Sequence, residues 1–223
     1  MNKRDFQTMI QRLPRCPGII GRELYARSAV LAPFVYTRKE YHLLFEKRAL
    51  GIRQGGEICF PGGGVDPRLD ENSCQTALRE TREELGLKED QVRIDGRADS
   101  VVAALGGVIE VYVGELLIDF PADCLINPGE VEEIFLVPVR FFQENPPEEY
   151  TLHLEVKPSY FDDNGKEVIL FPVEELGLPE RYSRPWKGGN HTVLVYRWKG
   201  HTIWGITARI VSSLVPFAGE KEG

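Results

Sequence analysis

The stretch "EICFPGGGVDPRLDENSCQTALRETREELGL", residues 57–87, limits what this chain can fold into more than any other. Gly62, Gly63 and Gly64 make a loop whose backbone can approach another group closely. Behind it the pattern turns helical. Cys74, Ala77, Leu78, Thr81 and Leu85 share one face, Asn72 or Ser73 can cap the start, and Gly86 is a C-terminal stop. At about 100° per residue, Glu80, Glu83 and Glu84 fall on one face, which the pattern sets opposite Ala77, Leu78 and Leu85.

Carboxylates at (i, i+4) repel by roughly a few tenths of a kcal/mol in water, and desolvation raises the cost. A hard divalent cation reverses the sign, because Mg²⁺ or Mn²⁺ takes oxygen ligands and joins carboxylates to substrate phosphates. Glycine loop and acidic helix together fit cleavage of a phosphate anhydride by water. The plainer reading is a solvated acidic helix balanced by Arg79 and Arg82.

Around this segment the chain reads as strands with few helices. Residues 28–36 and 41–46 form two strands joined by the polar turn "TRKE", and 57–63 form a short strand ending in the glycine loop. Residues 92–105, 107–117, 150–156, 166–172 and 191–198 are strand-like, and 127–142 is a loop entering a strand or helix. "ELGLPERYSRPWKGGN" reads as loop, and 205–215 as a C-terminal helix. These elements predict a single α/β domain with a mixed sheet over residues 1–223.

Composition narrows the function. A net charge of −7 argues against a nucleic-acid binder, so an anionic substrate needs a local basic patch or bridging metal ions. No apolar run approaches the roughly 18–20 residues that span a bilayer, so no membrane partner is expected. "MNKRDFQTMIQRLPR" has no signal-peptide core and reads as an amphipathic helix with Phe6, Ile10 and Leu13 on one side. A cytoplasmic protein is the simplest expectation. Cys16, Cys59, Cys74 and Cys124 form no CxxC or zinc spacing and are expected as reduced thiols. A homodimer is compatible with the sequence but nothing in it requires one.

Glu71, Arg79, Glu80, Glu83, Glu84 and Gly86 fit E-x7-R-E-x-x-E-E-x-G. At about 6% usage per residue type, six fixed positions recur by chance in about one of 10⁵ such chains. The segment resembles the Nudix hydrolase box, G-x5-E-x7-R-E-U-x-E-E-x-G-U with U bulky and apolar, here placed at residues 63–87. Thr81 departs from the apolar position, and the loop before Glu71 is longer than the box allows.

That longer loop resembles the coenzyme A pyrophosphatase branch. So does "LFEKRALGIRQGGEICFPGG", set against the signature L-L-T-x-R-[SA]-x3-R-x3-G-x3-F-P-G-G, although Phe45 and Glu46 replace its Leu and Thr. "NPGEVEEIFLVPV" and "GHTIWGITARIV" are similar to the same branch, whereas residues 157–190 read as an insertion or a divergent loop.

The resemblance implies an α/β/α sandwich and a metal-dependent hydrolase using Mg²⁺ or Mn²⁺. Glu80 and Glu84 would ligate the metal, Glu83 would ligate it or orient bound water, and the Gly62 carbonyl is a further candidate ligand. Arg79 would orient the glutamates, with Glu83 and Glu84 counted among the catalytic groups. Glu130, preferred to Glu133, would be the general base. Arg48 and Arg53 would hold substrate phosphates. The implied reaction cuts coenzyme A or its thioesters to 3′,5′-ADP and 4′-phosphopantetheine. Two alternatives stand beside it: another nucleotide-type substrate (ADP-ribose, a dinucleotide, a nucleoside triphosphate), and a non-enzymatic nucleotide binder, which would be expected to lack the intact acidic triplet.

Overall fold

In the computed structural model, residues 2–14, 19–104 and 106–218 are described. Cys16 lies outside them, so the thiol expectation is met only at Cys59, Cys74 and Cys124, which are free. Helix α1 (Lys3–Gln11) starts at a capping box between Asn2 and Asp5. Phe6 and Ile10 on it, and Leu13 just beyond it, stay exposed.

An eight-stranded mixed sheet forms the centre. Strand β1 (Ala26–Thr37) pairs antiparallel with β2 (Glu40–Arg48) through the turn at Arg38 and Lys39. Next come the short strands β3 (Ile58–Cys59) and β4 (Gly62–Gly64), so the glycine run is itself a strand, paired with β1 at residues 28–30. Helix α2 (Ser73–Leu85) follows. Beyond it, β5 (Val92–Arg97) and β6 (Val101–Ala103) pair with β7 (Gly107–Leu116), and β7 runs parallel to β1. Strand β8 (Val131–Pro138) pairs with β2 and leads into the short helix α3 (Val139–Glu144).

The C-terminal part adds a three-stranded sheet. Strand β9 (Glu148–Val156) pairs with β12 (Trp186–Trp198), and β12 pairs with β13 (His201–Trp204). A small hairpin of β10 (Ser159–Phe161) and β11 (Glu167–Ile169) lies between β9 and β12. Helix α4 (Gly205–Leu214) follows β13 directly, and Trp204 before it remains 43% exposed.

Strand alternation builds two cores from one sheet. On β1, Ala29, Leu31 and Val35 point to one side, where Leu44, Tyr112 and Leu116 meet Ala77 and Leu85 of α2. Ala32 points to the other side with Leu43, Phe45 and Val111, against Phe142, Tyr196, Ile203 and Val211. The chain is therefore a mixed sheet between α2 and a second layer of α3, α4 and β12–β13, as the α/β/α expectation has it. Among the described residues no helix is long and apolar enough to cross a membrane.

Two local readings need correction. Strand β12 begins at Trp186, inside the stretch read as loop, because Gly188 is the extra residue of a β-bulge between Lys187 and Gly189 that lets the pairing with β9 continue. The three glutamates of α2 do not share one solvent face. Glu84 lies seven residues after Ala77, and seven residues return to within about 20° of the same face. Glu84 is accordingly 4% exposed and Ala77 fully buried.

Candidate active site

The site forms where α2 crosses the β4 end of the sheet. Helix α2 starts at Asn72, whose side chain accepts from the N–H groups of Cys74 and Gln75, so Asn72 and not Ser73 is the cap. It ends at Gly86, whose φ of 66° is the left-handed turn that glycine adopts without a Cβ clash. Gly62 is required for a different reason: a Cβ there would meet the Val30 Cα at 2.7 Å. A Cβ on Gly63 would collide with Glu80. The glycine run is thus the surface on which α2 lays its acids.

Arg79 organises those acids. Its Nη2 lies 2.9 Å from Glu80 Oε1, and its Nη1 donates to Glu83 Oε2 at 3.0 Å. On the other side its Nε and Nη2 donate to both oxygens of Asp70, at 3.0 and 2.9 Å. Asp70 is buried and also accepts from the Thr76 hydroxyl at 2.9 Å. The Arg79 fork holds the Asp70 carboxyl below the usual carboxylate range.

Asp70 is a residue that sequence reasoning missed. Glu71, which fits the box spacing, is exposed, and its N–H donates to Gln75. The signal was present, since five residues separate Gly64 from Asp70, the interval that the box asks for. The extra residue therefore lies on the helix side of the acid and not in the loop before it.

Glu84 points inward. Gly62 donates its N–H to Glu84 Oε2 at 2.9 Å, so the Gly62 contact seen here runs through the amide and not the carbonyl. Burial raises Glu84 well above the carboxylate range, Glu46 raises it further, and the Gly62 bond works against both. Glu80 is raised as well, chiefly by burial. Glu83 is the outermost of the three, its side chain 55% exposed.

A second missed residue is Glu46 on β2, 1% exposed. It accepts the Cys59 thiol on Oε1 at 3.3 Å, and its Oε2 has no hydrogen-bond partner. Burial raises its pKa, and the Glu130 and Glu80 charges add to that. Glu130 is exposed in the turn before β8, close enough for its charge to bear on Glu46 and Glu80. Glu133 lies apart, with an oxygen 3.7 Å from His201 Nε2.

The two expected phosphate binders separate. Arg48 lies beside the acids, lowering Glu46 and Glu84 by its charge, and its Nε donates to the Arg53 carbonyl at 3.2 Å. Arg53 is exposed, and its described contact is this backbone one.

Among the described residues no three Asp, Glu, His or Cys side chains already stand as a metal-ligand set. The donors nevertheless fit a hard divalent cation. They are oxygens, the buried ones are raised first by burial and then by one another's charge, and Glu46 leaves a bare oxygen.

Comparison with known proteins shows what the chain is similar to. Residues 26–189 match the NUDIX domain. An uncharacterized Nudix hydrolase, NudL, of Photorhabdus laumondii is 28% identical over 187 residues, 84% of this chain and 82% of that one. A peroxisomal coenzyme A diphosphatase of Mus musculus is 36% identical over 115 residues, 51% of this chain and 48% of that one. A mitochondrial coenzyme A diphosphatase of Homo sapiens is 35% identical over 129 residues, 56% of this chain and 54% of that one. The chain thus spans about half the length of these two diphosphatases. The NUDIX domain of Shewanella oneidensis NrtR, solved with ADP ribose, aligns at TM-score 0.44 and 18% identity over 66% of this chain and 89% of that one. With the domain matched across residues 26–189, the chain belongs to the NUDIX domain family.

Proposed function

We propose that this chain hydrolyses the pyrophosphate bond of coenzyme A or acyl-coenzyme A, releasing 3′,5′-ADP and (acyl-)4′-phosphopantetheine. One observation carries the hydrolase reading: Arg79 gathers Asp70, Glu80 and Glu83 while Glu84 is buried against the Gly62 amide. The coenzyme A reading is supported by the two named diphosphatases and by the segment 44–63.

Glu80 and Glu84 would hold Mg²⁺ or Mn²⁺, with Glu83 at the solvent edge. The ion would lower the pKa of the attacking water and neutralise charge on the pyrophosphate. The chain's own groups do the rest. Arg79 holds Glu80 and Glu83 in place through Asp70, so their carboxylates need not be ordered when substrate arrives. Arg48 presents a guanidinium beside the acids for a phosphate oxygen. A carboxylate oxygen of Glu130 takes the proton of the attacking water, from a turn open to solvent.

The second reading keeps the chemistry and changes the substrate to ADP-ribose, a dinucleotide or a nucleoside triphosphate. The β10–β11 hairpin favours it, because it lies in residues 157–190, outside the segments that resemble the coenzyme A branch. A substrate panel with Mg²⁺ or Mn²⁺, resolved by chromatography, separates the two. Coenzyme A should give the highest kcat/KM. Faster cleavage of ADP-ribose or a dinucleotide would transfer the assignment, and binding without any cleavage would favour a nucleotide-binding role.

A further inference from the structure

We propose that Glu46 is itself a ligand of the divalent cation, a carboxylate supplied by β2 from outside the glycine run and the acidic helix. The proposal rests on the hydrolase reading but concerns a side chain that reading does not use.

Two buried carboxylate oxygens among the described residues lack a hydrogen-bond partner, Glu46 Oε2 and Glu110 Oε2, and only the second has an arginine within 4.0 Å, Arg27 at 3.6 Å. Glu46 is 1% exposed and lies on the same face of β2 as Leu44, the face that packs under α2. Across the sheet it stands opposite Cys59 on β3 and Ile134 on β8. Its two oxygens are treated unequally. The Cys59 thiol donates to Oε1 at 3.3 Å, whereas Oε2 is buried and meets no donor. Buried carboxylates are normally paired or bound to metal, because water cannot reach them.

No cation among the described residues pairs directly with that carboxylate. Among the described residues, no ion pair reaches Glu46 within 4.0 Å. Arg48, two residues along β2, donates its Nε–H to the Arg53 carbonyl. The Arg48 charge acts on Glu46 from a distance, and the other charged groups around it are acids: Glu84, Glu80 and Glu130. A bare buried oxygen among acids is the kind of donor that a hard cation takes, and Mn²⁺ and Mg²⁺ take oxygen donors. The ligand would depart from the signature that residues 44–63 resemble, which has Thr at this position. A Thr hydroxyl offers neither the charge nor the reach.

The test is calorimetric titration of the full chain with MnCl₂, without substrate, for wild type, Glu46→Gln and Glu46→Thr. Thermal unfolding in EDTA and in Mn²⁺ accompanies it. Gln keeps the volume and can still accept from Cys59; Thr supplies a second variant if Gln perturbs folding. Losing a group that supports a metal ligand weakens binding about 10–100-fold, so losing a ligand should weaken Mn²⁺ by at least about tenfold. The rise in Tm on adding Mn²⁺ should shrink in step. Both variants binding Mn²⁺ within about twofold of wild type would overturn the proposal and leave the hydrolase reading standing. A wild-type chain that takes up no Mn²⁺ would overturn both.

Discussion

Glu46 and Glu110 are both buried on strands of the same sheet, 1% and 3% exposed, yet their surroundings are opposite. Glu110, on β7, is ringed by arginines. Arg22 and Arg97 each place an Nη2 2.6 Å from its Oε1, and Arg27 lies 3.6 Å from its Oε2. Burial pushes Glu110 up, but the nearby Ser73 hydroxyl and the charges of Arg22 and Arg97 outweigh it and bring it below the usual range. Glu46 has a thiol on one oxygen, nothing on the other, and a raised pKa. The protein supplies its own cations where a carboxylate ties elements together. Around α2 and the glycine run Arg79 holds Glu80 and Glu83, but among the described residues no ion pair within 4.0 Å reaches the buried Glu46 or Glu84, which is the difference between a brace and a binding site.

The strongest way to break this comparison is to neutralise the buried acid of α2. Glu84→Gln should lower turnover by more than about 100-fold, beyond the 10–100-fold typical of losing a supporting group. It should also raise the Tm in EDTA, because one member of a buried like-charge pair is removed. A lower Tm in EDTA would mean that Glu84 is structural. Asp70→Asn comes next. It removes the charge behind Arg79, and turnover should fall about 10–100-fold while Asn keeps the shape of the site. Kinetics on Glu71→Gln, expected near wild type, provide the contrast.

Glu110→Gln should do the reverse of a site substitution. Bonds to charged groups contribute about 1.5–3 kcal/mol, and the arginine side chains are 41–52% exposed, so about 1–2 kcal/mol is expected in urea unfolding. Mn²⁺ affinity should not change. The acid limb follows the same residue. Its folded pKa lies below the unfolded value, so its contribution is present above about pH 4.3 and is lost as pH falls through the folded value. Glu110→Gln should flatten that loss, and an unchanged limb would count against the brace. The smallest effect is expected at the cap: Asn72→Ala should cost about 1 kcal/mol with Mn²⁺ affinity intact.

Part of this arrangement is legible in the residues themselves. The helix over 73–85 follows from apolar spacing and Gly86, and the acids between Arg79 and Gly86 point to metal chemistry by their spacing. Asp70 is hidden by a one-residue shift, because Glu71 satisfies the same pattern and only the fold shows which side chain reaches Arg79. Glu46 is hidden more deeply. A glutamate in a strand of alternating exposure reads as a solvent-facing residue, but β2 is covered on both faces and Glu46 sits among five successive buried positions. The start of β12 is masked by glycines that mark turns in sequence and here accommodate a bulge.

The most direct test of Glu46 as a cation ligand is crystallography with Mn²⁺ and anomalous scattering. The predicted result is a peak bounded by the carboxylates of Glu46, Glu80 and Glu84, and none at Glu110. Mn²⁺ bound elsewhere, with Glu46 Oε2 still bare, would contradict it.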